Sequence, residues 1–288
     1  MEDMEEKKLT RRTFLRRTLA AGLGLGLAGA ACGGYARLLE PRWFDVEEVT
    51  IPLPRLPRAL DGLTIAHLSD LHLGPYLGAA ELAHAVEMVQ RLNPQLVVIS
   101  GDFVSRGSEW QREEMLAPLA ALQAVLGVFA VLGNHDHWTD PAWVAATVQR
   151  LGVTVLSNSA HRLSDSEHGL WLAGVDDIWV GAEDLERALV GVPESSCRLL
   201  LAHEPDFADK AARWGIDLQL SGHSHGGQVR LPLLGAPLLP LWARKYPIGL
   251  QRAGDTWVYT NRGLGVIEPP LRFNCRPEVT LLTLKRNQ

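Results

Sequence analysis

The stretch Val128-Phe129-Ala130-Val131-Leu132-Gly133-Asn134-His135-Asp136 runs five apolar residues into a glycine and three side chains that bind metals or make strong hydrogen bonds. An apolar run of this length bounded by glycine reads as a buried strand, which puts the polar group at its carboxyl end. The arrangement recurs. Leu63-Thr64-Ile65-Ala66 precedes Asp70-Leu71-His72, and Leu96-Val97-Val98-Ile99 precedes Gly101-Asp102. Arg198–Ala202 precedes His203, and Leu218–Leu220 precedes Gly222-His223-Ser224-His225-Gly226. In open α/β sheets, sites form beyond the carboxyl ends of strands, so the five clusters can converge on one place. Each is weak alone: Asp70 reads equally as a cap, Gly133-Asn134 as a turn and His203 as a satisfied core histidine. Their recurrence, each after a strand, is the informative signal. Asp, Asn and His together suit Mn²⁺, Fe or Zn²⁺.

Helical patterns separate the strands: Ala79 to Leu92, ending before Asn93-Pro94, then Glu113 to Val125 and Pro141 to Arg150. With a further strand at Val153–Leu156, this alternation predicts a buried, largely parallel sheet. The later half is richer in strands, at Leu170–Val175, Gln228–Arg230, Trp257–Thr260 and Glu278–Leu284, with helices at Leu185–Leu189 and Asp206–Trp214. The expected fold class is α/β, a second, mixed sheet packed on the first, forming one domain over residues 36–288.

The 288 residues are 47% hydrophobic and 21% charged, a composition that can bury a core and excludes a disordered chain. A net charge of -5 argues against general nucleic-acid binding. Three cysteines are too few for a disulfide scaffold. Cys197 and Cys275 read either as a disulfide pair or as small buried residues.

Residues 1–35 read as an address. An acidic start (Glu2, Asp3, Glu5, Glu6) leads to Thr10-Arg11-Arg12-Thr13-Phe14-Leu15-Arg16-Arg17, then an apolar run from Leu19 to Ala31. The pair Arg11-Arg12 followed by Phe14-Leu15 resembles a twin-arginine export signal, which implies the twin-arginine machinery as a partner and the periplasm or cell envelope as the destination. Ala28-Gly29-Ala30 offers a cleavage site and Cys32 a lipidation site, so cleavage, lipidation and retention as an anchor stay open.

The order of motifs, D-x-H at 70–72, G-D at 101–102, G-N-H-D at 133–136, His203 and G-H-x-H at 222–225, resembles that of the calcineurin-like metallophosphoesterases over about residues 60–288. The segments at 222–228, 245–250, 261–265 and 272–278 resemble its YkuE/YaeI branch of bacterial phosphodiesterases. The resemblance implies a sandwich of two mixed sheets flanked by helices, holding two divalent metal ions. Asp70, His72, Asp102 and His225 would hold one, and Asp102, Asn134, His203 and His223 the other, with Asp102 bridging. It implies that His135, as imidazolium, acts on the leaving oxygen and that Asp136 orients His135 through a hydrogen bond. A metal-bridging hydroxide would attack phosphorus in a phosphodiester or lipid-phosphate substrate. The alternatives are a phosphomonoesterase, a UDP-2,3-diacylglucosamine-type pyrophosphate hydrolase or other lipid phosphoesterase, and a metal-binding scaffold of the same fold.

Between Leu231 and Trp242 lies a leucine- and proline-rich segment whose three prolines forbid a regular helix. It reads either as a buried loop under the site or as an exposed lip that contacts a membrane or acyl chains. Trp179 and Asp176-Asp177 follow another strand with no assigned role.

Overall fold

A computed structural model describes residues 10–107, 112–164 and 169–286. The acidic start at Glu2–Glu6 lies outside them. The strands are β1 (Asp45–Pro52), β2 (Thr64–Leu68), β3 (Leu96–Ser100), β4 (Val128–Val131), β5 (Thr154–Val155), β6 (Ser159–Arg162), β7 (Leu170–Gly174), β8 (Cys197–Leu201), β9 (Leu218–Ser221), β10 (Gly249–Ala253), β11 (Thr256–Thr260) and β12 (Glu278–Lys285). They form two six-stranded sheets, ordered β1-β12-β2-β3-β4-β5 and β10-β11-β9-β8-β7-β6. β2 through β5 pair in parallel, as do β7, β8, β9 and β11, while β12 runs antiparallel to β2 and the hairpin β10–β11 is antiparallel. The sheets are therefore mixed, and the sandwich expected from the sequence is present.

Strand alternation explains the layers. On β3, Leu96 and Val98 enter the core between the sheets, while Val97 and Ile99 face the core under the helices. On β8, Leu199 and Leu201 face the partner sheet, while Leu200 joins the outer cluster with Phe207 and Ile216. The helices are α1 (Arg11–Gly34), α2 (Ala79–Leu92), α3 (Glu113–Leu116), α4 (Asn134–Thr139), α5 (Pro141–Arg150), α6 (Leu185–Ala188) and α7 (Ala208–Ala211). α2 buries Leu82, Ala85, Val86 and Val89, a stripe at helical spacing, and ends at Asn93, whose left-handed backbone leads into Pro94. The apolar side chains of β2, β3, β4, β8 and β9 are buried, the larger ones each worth about 1.5–3 kcal/mol against exposure.

Two expectations change. The helix predicted over 113–125 stops after one turn at Leu116 and continues as a 3-10 stretch, Ala117–Ala121, because Pro118 supplies no N–H and crowds the preceding turn. Gln228–Arg230 is not a strand; Gln228 sits at φ 55° after a glycine turn, and only Val229 bridges to Phe273. The apolar N-terminal run is helical. α1 continues through a π-helical segment, Tyr35–Leu39, and a 3-10 turn, Glu40–Arg42, so Arg11–Arg42 is one helix long and apolar enough to cross a membrane. Cys197 and Cys275 are both buried and free, which settles their reading as small core residues.

Candidate metal centre

Five strands deliver the predicted clusters to one end of the sandwich. Asp70 and His72 follow β2, Asp102 follows β3, and Asn134 opens α4 after β4. His203 follows β8, while His223 and His225 follow β9, so the cluster straddles the carboxyl ends of both sheets. All seven side chains are buried.

The chain must curl sharply to bring them together. Asp70, His72, Asp102, His223 and His225 have φ of 49°, 43°, 57°, 65° and 51°, in the left-handed region that costs a non-glycine residue about 1–3 kcal/mol. Such strain persists only where surrounding structure overdetermines it. Gly101, at φ 95°, passes so close to His203 that a Cβ there would lie 2.7 Å from its Nδ1. At Gly222 a Cβ would overlap Ser69 and Asp70.

Three overlapping donor groups result. Asp70, His72 and His225 form one, Asp102, His203 and His223 a second, and His72, Asp102 and His135 a third between them, and within each group the ligand atoms lie within 4.8 Å of one another. In the first, His72 Nε2 is 3.0 Å from His225 Nε2, and His225 Nε2 is 3.4 Å from Asp70 Oδ1. In the second, His223 Nδ1 is 3.3 Å from His203 Nε2, which is 3.2 Å from Asp102 Oδ2. The same Asp102 oxygen is 3.3 Å from His72 Nε2, so Asp102 stands between the sets. Asn134 is buried nearby in sequence and fold, and its Oδ1 has no hydrogen-bond partner.

Backbone carbonyls set two tautomers. His203 Nδ1 lies 2.6 Å from the Ser100 carbonyl and His223 Nε2 lies 2.9 Å from the Leu241 carbonyl. A carbonyl only accepts, so those nitrogens carry hydrogen, and His223 Nδ1, together with His203 Nε2 once it gives up its proton, is left to donate a lone pair toward the cluster. Asp102 Oδ1 accepts from the His135 N–H at 2.8 Å, and both Asp70 oxygens accept from the His223 N–H.

The electrostatics fit a cation. Burial pushes the Asp70 carboxyl up and the His223 and His225 rings down, His223 to about 3. Burial also penalises charge on Asp102 and His203, but their mutual attraction prevails, holding Asp102 well below and His203 well above the usual range. Facing nitrogen lone pairs and two buried carboxylates are costly without positive charge among them. The donor set matches borderline divalent metals.

One expectation about the G-N-H-D motif is corrected. Asp136 does not hydrogen-bond the His135 ring. Its carboxylate accepts from the N–H groups of Phe103 (2.8 Å), Val104 (3.2 Å) and Gly133 (3.0 Å), while His135 Nδ1 is buried without a partner. The short helix α4 places Asp136 back over its own first turn, beside the loop that follows Asp102. Burial, only partly offset by Asp102, brings the His135 ring down to about 4, which favours its neutral form.

Sequence reading missed the aromatic wall. Trp138 lies 4.8 Å from the His135 ring, Trp179 lies 5.5 Å from His223, and the two indoles meet edge-on at 5.7 Å. Glu204, beside His203, fixes the second indole by accepting from the N–H groups of Ile178 and Trp179. The three-residue spacing of His135 and Trp138 on a helix is the signal that would have found the first; no local pattern links Trp179 to His223. Arg106 stacks over Trp138 at 5.6 Å and shares a cleft with His72, His135, Tyr76 and Ile267.

This fold with paired donor sets at the strand ends defines a metal-dependent phosphoester hydrolase. The calcineurin-like phosphoesterase family matches residues 63–227, and the chain belongs to it. It is 36% identical to an uncharacterized metallophosphoesterase, YkuE, of Bacillus subtilis, over 97% of this chain and 99% of that protein. It is 31% identical to the phosphodiesterase YaeI of Escherichia coli, over 96% and 99%. A bovine transmembrane protein with a metallophosphoesterase domain is 38% identical over 96% of this chain, which spans 64% of its length.

Proposed function

We propose that the chain is a dinuclear metal-dependent phosphodiesterase of the cell envelope. Asp70, His72, Asp102 and His225 hold one divalent cation, and Asp102, Asn134, His203 and His223 hold the other. The observation that carries this reading is Asp102 Oδ2, within 3.3 Å of a histidine from each donor set. When bound, two divalent cations supply Lewis-acid polarisation of a phosphoester and of water. Mn²⁺, Fe and Zn²⁺ suit the mixed nitrogen and oxygen donors.

The chain's own residues do the rest. Asp136 clamps the loops carrying Asp102 and His135 so that the bridging carboxylate keeps its place. His135, neutral, offers one ring N–H to a phosphoester oxygen or the leaving oxygen. Arg106 is the one Lys or Arg among the described residues that line the cleft beside His72 and His135, which matches a monoanionic diester better than a dianionic monoester. Trp138 and Trp179 exclude water from one side.

The location rests on Thr10–Arg17 and on α1, read as an envelope address of the twin-arginine type. Because Tyr35–Arg42 continues the helix and Glu40 is buried in the domain, we read α1 as retained as an anchor.

The test is hydrolysis of bis-p-nitrophenyl phosphate and p-nitrophenyl phosphate by the full chain in detergent, stripped of metal and then given Mn²⁺. Restored activity that favours the diester is expected. Preference for the monoester would overturn the diesterase reading, and no hydrolysis by metal-loaded protein would favour the scaffold.

A further inference from the structure

The Leu231–Trp242 segment is not buried beneath the site. Leu233 is fully exposed, Leu234 and Leu238 are each 80% exposed, and Leu241 and Trp242 are about half exposed. Its prolines at 232, 237 and 240 keep it out of regular structure, and paired hydrogen bonds between Leu231 and Gly235 close a turn with Leu233, at φ 67°, at its tip. Large apolar side chains presented together on a fixed loop mark a contact surface rather than incidental exposure.

What this loop connects identifies its partner. At its far end, the Leu241 carbonyl accepts the hydrogen bond from His223 Nε2, so the loop touches the metal centre. At its near end, Arg230 N–H donates to the Phe273 carbonyl at 2.8 Å, tying the loop to the 272–276 segment. That segment also seats the root of α1. The Arg272 N–H donates to the Ala36 carbonyl at 2.9 Å, the Cys275 N–H donates to Glu40 Oε1 at 2.5 Å, and the Arg276 guanidinium lies 3.6 Å from the centroid of the Trp43 ring. Tyr35 and Pro232 line one cleft. The apolar loop thus lies between the root of the helix able to cross a membrane and the hydrolytic centre.

The uncharged run Thr18–Ala36, at about 1.5 Å per residue, matches a hydrocarbon core of about 30 Å. Arg37 and Arg42 follow it at the level of anionic headgroups, and Trp242 supplies the indole favoured at such an interface.

We infer that Leu231–Trp242 is a membrane lip, inserted in the bilayer that α1 enters, which holds the metal centre against the lipid surface and directs it to phosphodiesters carried on lipids. The placement of the lip rests on the proposed reading of α1 as an anchor and not on hydrolysis, while its direction of the centre to lipid-borne phosphodiesters rests on the proposed function.

The test uses the full chain with Cys32→Ser and Leu234→Cys, labelled at the introduced thiol with an environment-sensitive fluorophore and reconstituted in vesicles of phosphatidylcholine and phosphatidylglycerol containing doxyl-labelled lipid. A second labelled chain carries Cys32→Ser with Val125→Cys, an exposed position before β4 and therefore at the pole opposite the site. Vesicle flotation is recorded for both. Co-flotation with several-fold quenching at position 234 and none at 125 is expected. Co-flotation with equal signals at the two positions would overturn the lip while leaving α1 as an anchor. Failure to float would overturn both readings of the membrane. Since depth is read without turnover, an inactive enzyme quenched at 234 would leave the lip standing and fail only the hydrolase reading.

Discussion

The Nε2 atoms of His72 and His225 lie 3.0 Å apart although 153 residues separate them in the chain. Both rings are buried, 4.8 Å between centroids, and burial drives His225 toward its neutral form. Neutral nitrogens this close repel unless a proton or a cation lies between them.

Metal binding should therefore stabilise the folded chain. A divalent ion at 100 times its dissociation constant adds about 2.7 kcal/mol if only the native state binds it. Thermal unfolding of chelator-treated protein should shift upward with added Mn²⁺, and His225→Ala should lose much of that shift. An unchanged midpoint in wild type would contradict the assignment.

Asp102→Asn should be the most damaging single substitution in the centre, because one oxygen serves both donor sets. Replacing a residue that merely orients a ligand costs about 10–100-fold, so loss of the shared carboxylate should exceed about 100-fold in diester hydrolysis. Metal content, read by elemental analysis, should fall toward one ion or none per chain.

Asp136 predicts a different signature. Asp136→Ala would leave three buried N–H donors without an acceptor, a loss of at least about 2 kcal/mol. The expected result is a lower unfolding midpoint together with lower activity, partly recovered in Asp136→Asn, which keeps one acceptor oxygen. Full stability with a change only in the pH profile would instead revive a direct partnership with His135.

Acid stability should depend on His67, which lies outside the metal sets. It is buried with Nε2 2.8 Å from Ser100 Oγ, and burial brings its pKa from 6.5 to about 3. The unfolded chain takes the proton first, so this stabilisation is whole above pH 6.5 and is lost as the pH falls toward about 3. Metal-free His67→Gln should accordingly show a smaller drop in unfolding midpoint between pH 7.5 and 4.5 than metal-free wild type, by the scale set in that linkage. Equal drops would rule out His67 as a cause.

Trp179→Ala should raise KM for diesters with planar groups more than it lowers kcat, since the indole borders the site 5.5 Å from His223 without being a donor to it. Steady-state kinetics on bis-p-nitrophenyl phosphate and a dialkyl diester would separate the two effects.

Much of this protein can be read along the chain. β2, β3, β4, β8 and β9 announce themselves as apolar runs because both faces of each are covered, and the polar cluster after each run is local chemistry. Ala79–Leu92 and Pro141–Arg150 are legible for the same reason: helical spacing and end signals are short-range. The partners of those residues are not. β1 (Asp45–Pro52) is charged and partly exposed, so it becomes a strand only by pairing in parallel with β12, more than two hundred residues away. The carboxylate of Asp136 could be assigned to its neighbour His135 from the sequence, yet folding brings the N–H groups after Asp102 closer. Sequence composition leaves Leu231–Trp242 open between core and surface; the tertiary structure exposes it, with Leu233, Leu234 and Leu238 standing in solvent. Local pattern determined which residues carry the chemistry. Only long-range packing decided how they share oxygens, where their hydrogens point, and which apolar surface remains uncovered beside them.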